Sequence, residues 1–176
     1  VVVMLAIITI LSSIVLTSFS SLNEGAVLRT SVRQVALAMR KAQNMSLAVR
    51  QIIIGTPPVA VIPPAGGVRF TKGQSVYTLF ADVIGSRDFR YTDISEKISD
   101  ETLMRSTRIK TFKNEGGSEI AVETVHIIFS APEATILITD TSGINLGNFV
   151  KIELETPSGQ QTKAITVRTS GQISVN

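Results

Sequence analysis

The side chains able to do chemistry are few and scattered. The one histidine, His126, lies in Val125-His126-Ile127-Ile128-Phe129, which reads as a strand. A catalytic histidine needs a nucleophile or an acid within reach. No motif names one, so the expected role is a surface or rim position on the strand. Asp82, Asp88, Asp93 and Asp140 are hard oxygen ligands of the kind calcium takes, but they lack EF-hand spacing. Turn formation is the expected role for them. Gly66-Gly67 and Gly116-Gly117 stand outside any phosphate-loop or dinucleotide-binding context. There is no cysteine, hence no disulfide framework and no thiolate metal site. One histidine does not make a His-based zinc site. Asn44-Met45-Ser46 is a formal glycosylation sequon, but it sits on a predicted helix. The expectation is therefore no enzyme, no catalytic residue, no metal and no cofactor.

The charge is equally uneven. The chain has 176 residues, a net charge of +3 and a pI near 9.5. Residues 1–50 hold Arg29, Arg33, Arg40, Lys41 and Arg50 against Glu24 alone, a net of +4, which leaves −1 for residues 51–176. A basic patch confined to one short stretch is a poor match to a phosphate-binding surface. Tryptophan is absent and aromatics are 5%, which argues against a stacking platform for single strands. Nucleic acid is not an expected partner.

The elements that position these residues begin with an apolar run. Nothing from Val1 to Leu22 is ionisable. As a helix those residues rise roughly 33 Å, enough for a hydrocarbon core of about 30 Å. A secretory signal would have a basic first region, a shorter apolar core and a cleavage site. A membrane anchor fits the length. So does a helix later buried against copies of itself, because Ser12, Ser13, Ser18, Ser20 and Ser21 are small residues of the kind found at helix–helix contacts. Beyond Leu22 no proline occurs before Pro57. Leu28, Val32, Val35, Met39, Ala42, Met45 and Val49 recur at spacings of three and four, an apolar helical stripe. Arg29, Arg33 and Arg40 form a separate stripe. The spacing predicts one helix to about Arg50, with a stretch of poor helix formers over Thr9–Ser21 where regular hydrogen bonding is expected to fail.

After Gln51 short β-branched runs alternate with turn signals. Pro57, Pro58, Pro63 and Pro64 punctuate the first of them, and Gly66-Gly67 opens the next strand. Residues 87–106 read as a loop with a short helix around 95–103. The units ILITDTSGINL and AITVRTSGQIS each read as a hairpin turning at Thr-Ser-Gly. The expected fold class is α+β. A long N-terminal α-helix has a projecting apolar half, and its C-terminal half packs on a mostly antiparallel β-sheet domain. The divisions are 1–22, a transmembrane or filament-core segment; 23–50, the helix half packed on the sheet; and 51–176, the β-rich globular part.

VVVMLAIITILSSIVL resembles the start of type IV pilins and type II secretion pseudopilins. Leu28 to Gln43 is similar to the second half of that family's helix. Val76-Tyr-Thr-Leu-Phe-Ala-Asp, Ile127-Ile-Phe-Ser-Ala-Pro and the closing Ser-Gly-x-Ile look like its H-type or fimbrial T-type branch. The resemblance covers the helix well and the sheet loosely. It implies the pilin fold and a role as structural subunit of a type IV pilus-like filament, outside the cell once assembled. The alternative is a minor pseudopilin of a type II secretion or DNA-uptake machine. The implied partners are copies of the chain in a helical filament, the inner membrane before assembly, and the pilus assembly machinery. The family's leader, cleavage glycine and first mature residues with their glutamate would precede Val1. The mid-helix proline of many pilins and a C-terminal disulfide loop are both missing.

On these readings Val1, Val2, Val3, Leu5, Ile7, Ile8, Ile10, Leu11, Ile14, Val15, Leu16, Phe19 and Leu22 are the filament-core or membrane residues. Leu28, Val32, Val35, Met39, Ala42, Met45 and Val49 join helix to sheet. Glu24, Arg29, Arg33 and Arg40 are candidate subunit contacts, with Asp100-Glu101 as acidic partners for the arginines.

Overall fold

The computed structural model describes residues 2–48, 51–54, 58–83, 88–130 and 135–176, with the side chains of 14–22, 54, 59 and 61 outside that description. Helix α1 spans Val2–Leu47 without a break. The expected loss of regular hydrogen bonding over Thr9–Ser21 is therefore corrected. A threonine hydroxyl can satisfy the preceding turn from inside a helix, and Thr9 Oγ1 donates to Leu5 O at 2.8 Å.

Among the described residues eleven strands follow: β1 Ile52–Ile54, β2 Val59–Val61, β3 Ala65–Thr71, β4 Val76–Asp82, β5 Lys97–Thr102, β6 Arg108–Lys113, β7 Thr124–Ser130, β8 Thr135–Thr139, β9 Phe149–Glu155, β10 Thr162–Arg168 and β11 Ile173–Val175. They form three antiparallel sheets, ordered β5-β4-β3-β7-β8, β11-β10-β9-β6 and β1-β2.

The expected fold class needs correction on two counts, and the pilin fold is not carried further. Among the described residues no helix is long and apolar enough to cross a membrane. The strands also form separate sheets of five, four and two strands where one sheet was expected. Two large sheets can enclose a helix from two sides, which a single sheet cannot do.

The five-stranded sheet is covered on both faces. Val68, Phe70, Leu79, Val125, Ile127, Phe129, Ile136 and Ile138 share one buried cluster with the stripe on α1. Ala65, Phe80 and Ile128 form a second cluster with Phe89, Tyr91 and Leu137 packed against it. Alternating side chains thus feed two different cores, and β7 is buried at six successive positions. Gly67 lies where the layers crowd. A Cβ there would come within 2.6 Å of the Phe80 ring and 2.7 Å of the Ile127 carbonyl.

The four-stranded sheet adds Ile109, Phe112, Val150, Ile152, Leu154, Ile165 and Val167 to the α1 cluster. Its other face carries charge ladders such as Lys113–Glu153 at 2.9 Å and Lys151–Glu153 at 3.5 Å. Residues 97–102, expected within a loop with a short helix, are instead edge strand β5. Cross-strand polar pairs hold it there: Thr78 Oγ1 donates to Asp100 Oδ1 at 2.7 Å, and Tyr77 OH donates to Glu101 Oε2 at 3.0 Å. Of the two Thr-Ser-Gly units, the second makes the β10–β11 hairpin. The first returns as a single bridge between Thr139 and Asn145.

Candidate functional site

Two parts of the molecule hold unusual side chains. The first is the N-terminal half of α1. Val2, Val3, Leu5, Ile7, Ile8, Ile10 and Leu11 are all exposed, from 51% at Ile7 to 80% at Val2. Every face of the segment is apolar, and a helix of that kind is normally buried. So large an apolar patch marks an interaction surface. Val1 and Val49 lie outside the described residues, as do the side chains of Ile14, Val15, Leu16, Phe19 and Leu22.

The C-terminal half of α1 is covered by its own chain. Leu28, Val32, Val35, Met39 and Ala42 are buried, and Met45 packs on the same cluster. Ser46, next to that stripe, is buried and donates from Oγ to the Phe129 carbonyl at 2.6 Å. Gly66 permits that approach, since a Cβ there would lie 3.1 Å from Ser46 Oγ.

The candidate subunit contacts divide. Glu24 is half-buried and accepts from Ser158 Oγ at 2.6 Å. Arg29, Arg33 and Arg40 are exposed, and no ion pair is formed by them among the described residues. The acidic partners expected for them are taken within the chain. Asp100 accepts from Thr78 and meets Lys97 Nζ at 3.1 Å, and Glu101 lies 3.8 Å from Lys41 Nζ. Both carboxylates sit on β5, and an edge strand read as a loop hides that geometry in the sequence.

Sequence reasoning missed Leu37 and Ile53, exposed at 63% and 70%. Leu37 lies off the buried stripe, four residues after Arg33 and three before Arg40. A leucine set inside a cationic stripe was the available signal.

The second part is the outer core of the five-stranded sheet. His126 is fully buried, which corrects the surface or rim placement. It stands opposite Arg69 in register, with its ring 5.9 Å from that of Phe80. Neither nitrogen has a hydrogen-bond partner among the described residues. Burial, aided by the Arg69 charge, lowers its pKa to about 4. The Arg69 guanidinium stacks over Tyr91 at 5.3 Å.

Asp82, Asp88 and Glu96 bring carboxylate oxygens within 4.8 Å of one another, the one such cluster found among the described residues. Two of them also organise the neighbouring loop. Phe89 N donates to Asp82 Oδ2 at 3.3 Å, and Thr92 N donates to Glu96 Oε2 at 2.8 Å. Asp93 and Asp140 close tight turns by accepting from backbone N–H groups two residues on, at 2.7 and 2.8 Å.

No family model matches the chain, and neither a curated protein nor a solved structure matches it.

Proposed function

We propose that the protein is a structural subunit of a type IV pilus-like filament outside the cell, self-assembling through the N-terminal half of α1. One observation carries the reading: Val2–Leu11 exposes aliphatic side chains on every face, while the described residues from Leu28 on build a packed core. Apolar area gains roughly 25 cal/mol per Å² on leaving water. A filament recovers that gain at every subunit, because a head-to-tail interface that does not close repeats without end. The resemblance of residues 1–16 and 28–43 to type IV pilins supports the same reading.

Deletion of residues 1–22 tests it. The truncated chain is expected to remain folded, with a melting temperature within a few degrees of the full chain, and to be monomeric by light scattering. Assembly by the truncated chain would shift the role to the sheets and defeat the proposal.

A further inference from the structure

We propose that the apolar helix segment of one copy docks in a trough on a second copy, between the outer face of α1 and the β1–β2 hairpin. The inference rests on the self-assembly reading and names the surface that receives the helix.

Two adjoining grooves make the trough, with volumes of about 340 and 840 Å³, and they share Leu37 and Lys41. The lining extends along α1 from Thr30 to Met45, roughly 22 Å of helix. Leu37, Met45, Ile52, Ile53 and Ile98 supply its apolar surface. Two of these five, Leu37 and Ile53, are more than half exposed, so the chain itself leaves the surface open. A two-stranded hairpin such as β1–β2 has little stability of its own, and an occupant in the trough would brace it.

The occupant follows from polarity and connectivity. The helix carries no charge before Glu24, and Val2–Leu11 is exposed and largely aliphatic. It brings no ion of its own to be desolvated, and the trough offers it Leu37, Met45, Ile52, Ile53 and Ile98 among charged side chains that include the Lys41–Glu101 pair. The segment and the helical wall of the trough, Thr30 to Met45, lie on one unbroken helix. A continuous helix cannot fold back on itself, so a chain cannot fill its own trough. The helix that fills it belongs to another copy, and each occupied trough leaves a free helix and a free trough at the ends. Arg33, Arg40 and Lys41 line the same grooves and remain in water beside the seated helix, where long basic side chains keep their heads.

The chain has no cysteine, so introduced thiols report contacts cleanly. Full-length Ile8→Cys is mixed with full-length Leu37→Cys under assembling conditions and oxidised. Both positions are more than half exposed, so folding is not at stake. A cross-link between residues 8 and 37 as the main covalent dimer is expected. Cross-links confined to residue 8 with residue 8 would overturn the trough and leave assembly by helix bundling intact. A wild-type chain that stays monomeric by light scattering would overturn both readings. As a second measurement, Ile53→Glu is expected to lower assembly at least tenfold with an unchanged melting temperature, and unaltered assembly would count against the trough.

Discussion

The two halves of α1 are covalently continuous and similarly aliphatic, yet they meet opposite surroundings. Leu28, Val32, Val35, Met39 and Ala42 sit on one stripe and find β3, β7, β9 and β10 beside them. Val2, Val3, Leu5, Ile7, Ile8, Ile10 and Leu11 occupy all faces and find no cover among the described residues. Pattern separates the two more clearly than composition does. A stripe with polar positions between suits one packed side. A helix apolar all round needs neighbours all round, which a chain reaching it from one end cannot supply. The first half should therefore govern association and the second half folding.

The largest test of that division sets one substitution in each half against the other. Val35→Asp buries an unpaired carboxylate in the centre of the core, and a charge without a partner there is severely destabilising. Loss of the folded state at 25 °C by circular dichroism is expected. Ile8→Asp, made on the exposed half, is expected to leave the melt unchanged and to abolish assembly in light scattering. Equal loss of stability in both variants would erase the distinction between the halves.

A smaller effect comes from the outer core of the five-stranded sheet. His126 has a folded pKa of about 4 against 6.5 for an ordinary histidine. The unfolded chain thus takes up this proton first as pH falls. The stability linked to this group is complete above about pH 6.5 and declines as pH drops to about 4, where the folded form also protonates. The decline is on the order of 3 kcal/mol at most. Urea titrations at pH 7, 5.5 and 4 should show it, and His126→Leu should flatten the part due to this residue. An unflattened profile in that variant would assign the loss to carboxylates instead.

The smallest expected change in stability is at the cationic stripe. Arg33→Glu with Arg40→Glu removes no intrachain ion pair among the described residues, so the melt should move by less than about 0.5 kcal/mol. Assembly should change at low salt, with the difference shrinking as salt screens surface charge. A salt-independent difference would mean that these side chains act by packing.

How much of this could be read from the sequence depended on the range of the interaction. Spacings of three and four placed the buried stripe, because helix periodicity is local. The second Thr-Ser-Gly turn gave a hairpin for the same reason. Strand β5 was hidden because Asp100 and Glu101 look like loop residues until Thr78 and Tyr77 stand opposite them. The burial of His126 was hidden too. Its strand is apolar on both sides, and only the return of Phe89 and Tyr91 over the sheet closes the second face. Phe89 makes that return with φ of +54°, a conformation that no propensity argument assigns to phenylalanine. The trough was hidden because part of it comes from Ile52, Ile53 and Ile98, beyond the helix, where its periodicity does not reach.

The way α1 joins the sheets also sets how the domain carries a load. A pull on the N-terminal half enters along the helix axis. It meets Ser31 to Thr107 at 3.4 Å, Gln34 to Thr102 at 3.1 Å and Ser46 to Phe129 at 2.6 Å, spread along the packed half together with the apolar stripe. Those contacts share the force in shear and must yield together. A peeling pull on the C-terminal end of the helix would break them one at a time, starting at Ser46. Tension in the direction of the exposed helix therefore acts where the domain is mechanically strongest, and the weak direction is the one that lifts residues 44–48 from β3 and β7.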